Sequence, residues 1–265
     1  MTMQRARRLA SVAVVAAFAV TGLSACRSQP DVAAYLASGN ISLARVQQVY
    51  DDARDRQAAA DGAGTPSSAP SEAAAPSDGL PSDSATGSKL PLTGANVLDT
   101  LVSHQVLTAL AQRHNVKIPS PLPLADYAKL LHLPEKSEFV KLYVEVEGLQ
   151  FALNQGGQGG PLTIGDIRDI YQRARAQHAM DPATTIEQFA TNLSADGKKV
   201  LGTAVALRNE VRDEVNQQHL RLNPRYQAFE IPVLTQRDQQ TGNAQVLVAQ
   251  PVGNRNASVP VTDVR

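Results

Sequence analysis

The sequence predicts a mainly α fold, and three observations predict it. Apolar residues recur at intervals of three and four through most of the chain beyond residue 40. A serine or threonine stands just ahead of several of those runs, where a helix takes its N-cap. Breaks rich in proline and glycine, rather than alternating strand patterns, separate one run from the next.

Residues 1–25 precede the folded part. Arg5, Arg7 and Arg8 form a basic head, and an uncharged Ala/Val-rich segment runs from Leu9 to Leu23. The order of basic head, apolar run and small-residue end is that of a secretory signal. About 15 apolar residues make roughly 22 Å of helix, too short for a hydrocarbon core of about 30 Å. At its end stands Leu23-Ser24-Ala25-Cys26, with the chain's single cysteine. This pattern resembles a bacterial lipoprotein signal in which Leu23, Ser24 and Ala25 form the lipobox. A plain secretory signal with a chance cysteine is the alternative. The resemblance implies a diacylglyceryl group on the Cys26 thiol and cleavage just before it. The mature chain would then be held in the lipid bilayer at the outer face of the cytoplasmic membrane. Two acyl chains suffice for a stable anchor.

The composition excludes several classes of function. Formal net charge is zero, which gives no electrostatic footprint for nucleic acid. There is no tryptophan and only 4% aromatic content, so a base-stacking surface is not expected either. With Cys26 acylated, no thiol is left for a disulfide, a nucleophile or a zinc site.

Residues 26–57 open with a short polar leader. Asp31–Leu36 reads as a brief strand, Ser38-Gly39-Asn40 as a turn, and Ser42 as the cap of a helix carrying Leu43, Val46, Val49, Tyr50 and Ala53. Residues 58–90 change character to Ala, Ser, Pro, Gly, Asp and Thr, a composition that buries too little surface to offset ordering entropy. A disordered insertion is expected there.

Residues 91–229 resume the helical pattern. Thr93 caps a helix with a stripe from Val97 to Leu110, stopped by Pro119, Pro121 and Pro123. A short helix follows at Leu124–Leu133. The next, from about Pro134 to Leu153, is apolar on two faces and therefore expected to be central. Gly156–Pro161 ends it and reads as a hinge. Thr163 with Asp166 forms a capping-box variant before Ile164, Ile167, Ile170 and Tyr171. A short helix at Thr185–Leu193 is expected to bury Ile186, Phe189 and Leu193. Ser194 or Asp196 opens a longer one with Val200, Ala204, Leu207, Val211 and Val215 inward. Leu220–Phe229 turns extended. Residues 230–265, rich in Gln, Asn and Val, lack a strong helical period and read as an extended or disordered tail.

No catalytic residue, cofactor or metal ligand is expected. His104, His114, His132, His178 and His219 include no i, i+4 pair. The chain has no Gly-x-Ser-x-Gly elbow and no Ser-x-x-Lys pair, and Gly156–Gly160 lacks the Lys-Ser/Thr of a phosphate loop. An enzyme is therefore not anticipated.

Three stretches together suggest a family. Val32–Tyr50 looks like the opening of SurA-type periplasmic chaperones, with a short strand, a turn, a hydroxyl cap and an amphipathic helix. Val97–Val102, running on to Val116-Lys117-Ile118, is similar to that family's second helix. Leu220-Arg221-Leu222-Asn223-Pro224-Arg225-Tyr226 resembles its closing strand, with Gln227 where the family often has glycine. The layout is nearest the SurA-like lipoproteins of actinobacteria. The resemblance implies that the first and last strands pair, as a short two-stranded closure of a helical SurA-N-like domain, and that the helices between form a cradle for unfolded or extended polypeptide. It further implies contact through apolar side chains, with Leu101, Phe139, Tyr143, Phe151, Tyr171 and Phe189 as candidates. The parvulin domain of full chaperones has no room here, so prolyl isomerase activity is not expected. The alternative is a non-catalytic envelope adaptor on the same scaffold. The two differ in the apolar wall: a chaperone needs it exposed, whereas an adaptor has one specific patch over a closed core.

Overall fold

A computed structural model of the chain describes residues 31–62, 90–237 and 244–253. The expected signal, the lipobox Leu23–Ala25 with Cys26, the polar leader 27–30, residues 63–89 of the insertion, and residues 238–243 and 254–265 of the tail lie outside the described residues.

The described residues are mainly α. Two short strands, β1 (Val32–Tyr35) and β2 (Ile41–Ser42), lead into α1 (Leu43–Gly62). Then come α2 (Gly94–Arg113), α3 (Leu124–Leu131), α4 (Glu138–Gly156), α5 (Ile164–Ala176), α6 (Ile186–Asn192) and α7 (Ala195–Gln217). Strands β3 (Arg221–Leu222), β4 (Phe229–Arg237) and β5 (Ala244–Val252) follow.

Hydroxyl caps start these helices except α3, whose N-cap is Pro123. Ser42 Oγ accepts from the Arg45 amide (3.1 Å), Ser137 Oγ from Val140 (3.3 Å) and Ser194 Oγ from Gly197 (3.0 Å). Thr93 with Asn96, Thr163 with Asp166 and Thr185 with Gln188 form reciprocal capping boxes. Each box satisfies amides that would otherwise lack an acceptor. The cap at Ser137 places the start of α4 after the Pro134 turn, later than its apolar pattern suggested. At the C-terminal ends, His132, His178 and His219 take left-handed φ values of 54°, 54° and 49°. They close α3, α5 and α7 in the role more often filled by glycine or asparagine.

Helices α2 and α4 pack along each other through the middle of the core. Val97, Leu98, Val102, Val106, Leu107 and Leu110 of α2 are fully buried, and Val140, Val144 and Leu149 of α4 nearly so. Helix α1 lays Val46, Val49, Tyr50 and Ala53 against them. Helix α7 closes the far side with Leu201, Ala204, Val205, Leu207 and Val211.

The closure between chain ends forms. Strand β1 pairs antiparallel with β3, Ala34 opposite Leu222 and Tyr35 opposite Arg221. The sheet has three strands rather than the expected two, because β2 folds back onto the other edge of β1. The Ser38-Gly39 turn makes that hairpin, with Gly39 at φ +137°. The Asn223-Pro224-Arg225-Tyr226 stretch has a physical reason in this sheet. Asn223 is buried, donates from Nδ2 to the Val32 carbonyl (2.8 Å) and accepts at Oδ1 from the Arg225 amide (3.1 Å). Its own amide donates to the Ala33 carbonyl (2.9 Å). Pro224, which has no amide to give, lies in the turn just past the strand.

Several expectations need correction. Helix α1 continues to Gly62, so residues 58–62, expected to be disordered, are helical. Alanine-rich sequence prolongs a helix whose charged surface is laced by Asp52–Arg56 and Asp51–Arg54 ion pairs. Val200 is 54% exposed, and Leu201 and Val205 take the inward positions instead. Ile186, Phe189 and Leu193 are half-buried rather than buried. The described parts of the tail, residues 230–237 and 244–253, are folded. Strands β4 and β5 form an antiparallel hairpin, and Ile231, Val233, Val248 and Val252 enter the core. Strand β4 alternates at Ile231 and Val233, while β5 buries Val248, Ala249 and Val252 opposite a register shift, a pattern that a search for helical spacing passes over. Pro232 and Pro251 are tolerated because each strand of a two-stranded hairpin has an open edge. Nor does Gly156–Gly160 lie free as a hinge. It runs against α7, where a Cβ on Gly202 would stand 2.3 Å from the Gly160 carbonyl oxygen.

Candidate functional site

A half-open cavity of about 310 Å³ lies where α2, α4 and β4 meet, beneath the segment that leads into α2. It is at the lower end of the size range of ligand pockets. Pro91, Leu92, Leu133, Phe139 and Val146 give it apolar walls, and Tyr143 adds an amphipathic one. Asp99, Glu147 and Glu230 bring three carboxylates, while no lysine or arginine among the described residues lines the cavity.

The carboxylates are differently placed. Glu230 is held by Arg173 through a bidentate pair at 2.6 and 3.1 Å. Glu147 accepts a long hydrogen bond from the Tyr127 hydroxyl (3.4 Å), and the Arg237 guanidinium stands 5.4 Å from the Tyr127 ring centre. Burial raises Glu147 above the usual carboxylate range, with Arg237 and the two tyrosine hydroxyls opposing. Burial likewise lifts Tyr143 to about 12, aided by the charge of Glu147. Asp99 makes no hydrogen bond or ion pair among the described residues. Burial alone pushes its carboxyl up to about 7. The same cavity is lined by Gln150, only 5% exposed, whose Nε2 is buried without a hydrogen-bond partner. A buried donor left unsatisfied costs about 1–3 kcal/mol, so a folded chain normally supplies an acceptor.

The fold scatters the six candidate contact residues. Phe139 and Tyr143 come together on the wall of this cavity, their ring centres 6.1 Å apart. Leu101, itself buried, lines a second hollow with Leu142, Arg45 and His104. Tyr171 and Phe189 pair with each other where α5 meets α6, at 5.9 Å, and the Tyr171 hydroxyl donates to the Thr184 carbonyl. Phe151 is 58% exposed on α4. They do not share one wall, because aromatic residues at helical spacing serve the core first.

Sequence reasoning missed Asp99 and Gln150. A signal for both was present. Gln150 interrupts the α4 stripe that runs through Phe139, Tyr143, Val146 and Leu153, and Asp99 and Ser103 interrupt that of α2 at i, i+4. A polar residue inside an apolar stripe demands a partner, and these two face a hollow instead.

Comparison with family models, with curated proteins and with solved structures gave no match.

Among the described residues, no group of three or more histidine, cysteine, aspartate or glutamate side chains could hold a metal ion. No helix of the described residues is long and apolar enough to cross a membrane. The histidines have other partners or positions: His104 Nε2 meets Glu145 at 3.0 Å and His114 Nε2 meets Glu210 at 2.6 Å.

Proposed function

We propose that the chain is an extracytoplasmic lipoprotein, anchored through acylated Cys26, whose SurA-N-like helical domain binds unfolded or extended polypeptide. The observation that carries this reading is the half-open cavity between α2, α4 and β4. Its apolar and aromatic lining suits a side chain, and its unpartnered polar groups suit a backbone. The antiparallel pairing of β1 with β3 supports the closed-cradle layout on which the resemblance rests. In this reading the protein is not an enzyme, and it works by holding polypeptide near the membrane surface.

Suppression of client aggregation by the soluble form beginning after Cys26 is the test. Because the chain has no tryptophan, a tryptophan-bearing peptide also gives a clean fluorescence titration. Concentration-dependent suppression with saturable peptide binding is expected. Absence of both refutes the reading.

An envelope adaptor is the second reading, and one observation favours it. Among the described residues the exposed large hydrophobic side chains are Leu130, Phe151, Ile164 and Val200. A promiscuous chaperone has a broad apolar wall, whereas a few exposed side chains over a sealed core suit one dedicated partner. Cross-linking in intact cells separates the two, since an adaptor gives one dominant product and a chaperone gives many.

A further inference from the structure

The cavity between α2, α4 and β4 has a chemistry more specific than apolar capture. We propose that it binds a protonated amine carrying a carbonyl group beside it, the chemistry of the amino-terminal residue of a polypeptide, with Asp99 as counter-ion and Gln150 as donor to the carbonyl. This deepens the polypeptide-binding reading and rests on it.

Three independent features lead there. The first is charge. Of the carboxylates in the lining, Glu230 is answered by Arg173, and Arg237 lies near Glu147 across the Tyr127 ring. Among the described residues, Asp99 has no counter-ion and no basic side chain lines the cavity. A cation entering it supplies the missing charge, while a carboxylate or phosphate would meet three acidic groups. The second feature is the Gln150 amide, which is 95% buried, lines the same cavity and leaves Nε2 with nothing to donate to. That donor calls for an acceptor oxygen, which a simple alkylamine lacks and a peptide carbonyl has. The third is the apolar wall of Phe139 and Val146, with room for one side chain. A polypeptide's first residue presents an ammonium, a carbonyl one carbon away and a side chain, and so meets all three.

Phenylalaninamide is a probe with these parts. N-acetylphenylalaninamide exchanges the charge for a neutral acetyl amide, and phenethylamine lacks the carboxamide and with it the carbonyl. Calorimetric titration of the full chain in lipid nanodiscs, with empty nanodiscs as blank, should show saturable binding of phenylalaninamide. Acetylation should weaken binding at least about tenfold, and removing the carbonyl should weaken it several-fold, in line with charge-assisted and neutral hydrogen bonds respectively. Asp99→Asn should lose about tenfold for phenylalaninamide and leave the acetylated compound within about twofold. Gln150→Leu should abolish the difference between phenylalaninamide and phenethylamine. A tetrapeptide beginning with phenylalanine should compete, whereas the same peptide acetylated at its end should not.

Equal affinity for the free and acetylated probes overturns the proposal on the unaltered protein, whatever the variants do. So does the absence of phenylalaninamide binding up to on the order of 10 mM, a limit that corresponds to negligible affinity. Failure of the tetrapeptide to compete overturns the polypeptide-end assignment in favour of a small free amine. Binding of the probes without any aggregation suppression upholds this site while removing the chaperone reading. Aggregation suppression with indifferent probes does the reverse.

Discussion

Replacing Asn223 tests whether the closure of the chain ends is a stabilising feature or an incidental contact. Asn223→Ala leaves its backbone bonds to Ala33 and Tyr226 in place and removes the two made by the side chain. The Val32 carbonyl, on a buried residue, loses the Nδ2 donor at 2.8 Å. A buried group left without its partner costs about 1–3 kcal/mol. The Arg225 amide loses Oδ1, but Arg225 is exposed and water replaces most of that bond, which adds about 0.5 kcal/mol. The sum is about 1.5–3.5 kcal/mol, or a fall in Tm of roughly 3–14 °C for a domain of this size. Asn223→Asp sharpens the test. It keeps the acceptor for Arg225 but sets a carboxylate oxygen against the Val32 carbonyl, so its loss should match or exceed that of alanine. Urea unfolding followed by circular dichroism, with thermal melts alongside, measures both. A loss below about 0.5 kcal/mol for Asn223→Ala, or an Asn223→Asp variant as stable as the parent, would refute the view that this side chain clamps β3 to β1.

Four further substitutions have definite expected outcomes. Gly202→Ala should destabilise by about 1–2 kcal/mol, because the 2.3 Å approach of its Cβ to the Gly160 carbonyl oxygen forces backbone to move, at an overpacking cost exceeding the gain of about 1 kcal/mol in helix propensity. Gly165→Ala, where the nearest atom is 3.6 Å away, should be neutral or stabilising in the same melts. The Asp99 carboxyl is held up at about 7, against 3.8 for the free group. The folded state therefore binds more protons than the unfolded one between those values, and stability from this group falls as pH rises from about 4 to about 7 and is level above that. Asn at 99 cannot ionise, so Asp99→Asn should exceed the parent by about 1–2 kcal/mol at pH 8, discounted for partial exposure, and match it near pH 4. A parent whose advantage over the variant grows with pH would contradict the burial assigned to Asp99. Finally, Cys26→Ala should abolish incorporation of a fatty-acid analogue and leave unprocessed precursor, since the chain has no second thiol. Labelled Cys26→Ala protein would rule out the lipid anchor.

Much of the helical framework was legible because helix signals are local. Ser42, Thr93, Thr163, Thr185 and Ser194 mark helix starts through hydrogen bonds that span three residues, and those bonds are present in the fold. The stripes behind the caps say that a face is apolar, though not which of two such faces meets a neighbour. Val200 and Leu201 illustrate this: adjacent, both apolar, and oppositely exposed once the Gly156–Gly160 segment lies along α7. The β4–β5 hairpin was illegible for a different reason. Most of its core residues lie in short apolar runs, residues 231–234 and 246–249, bounded by Gln-rich sequence, and two prolines argue against strand wherever both edges are assumed paired. Only the hairpin's two open edges, a property of tertiary arrangement, remove that objection.

The candidate site lies where these two kinds of information meet. Asp99 lies beside the apolar stripe of α2 and Gln150 beside that of α4, yet the hollow they line has β4 as its third side. Without the hairpin, a polar residue on either stripe would open to solvent and satisfy itself with water at little cost. With Glu230 and Pro232 closing that side, the same groups are drawn out of water, the Asp99 carboxyl is forced upward and the Gln150 nitrogen loses its partner. These unmet needs are therefore created by the segment whose folding the sequence concealed. Shortening the chain before Phe229 should thus abolish both the elevated titration of Asp99 and any charge preference of the cavity, even where the helices survive. Retention of the titration near 7 in such a shortened chain, read by carboxyl-resolved NMR, would show that α2 and α4 alone desolvate Asp99.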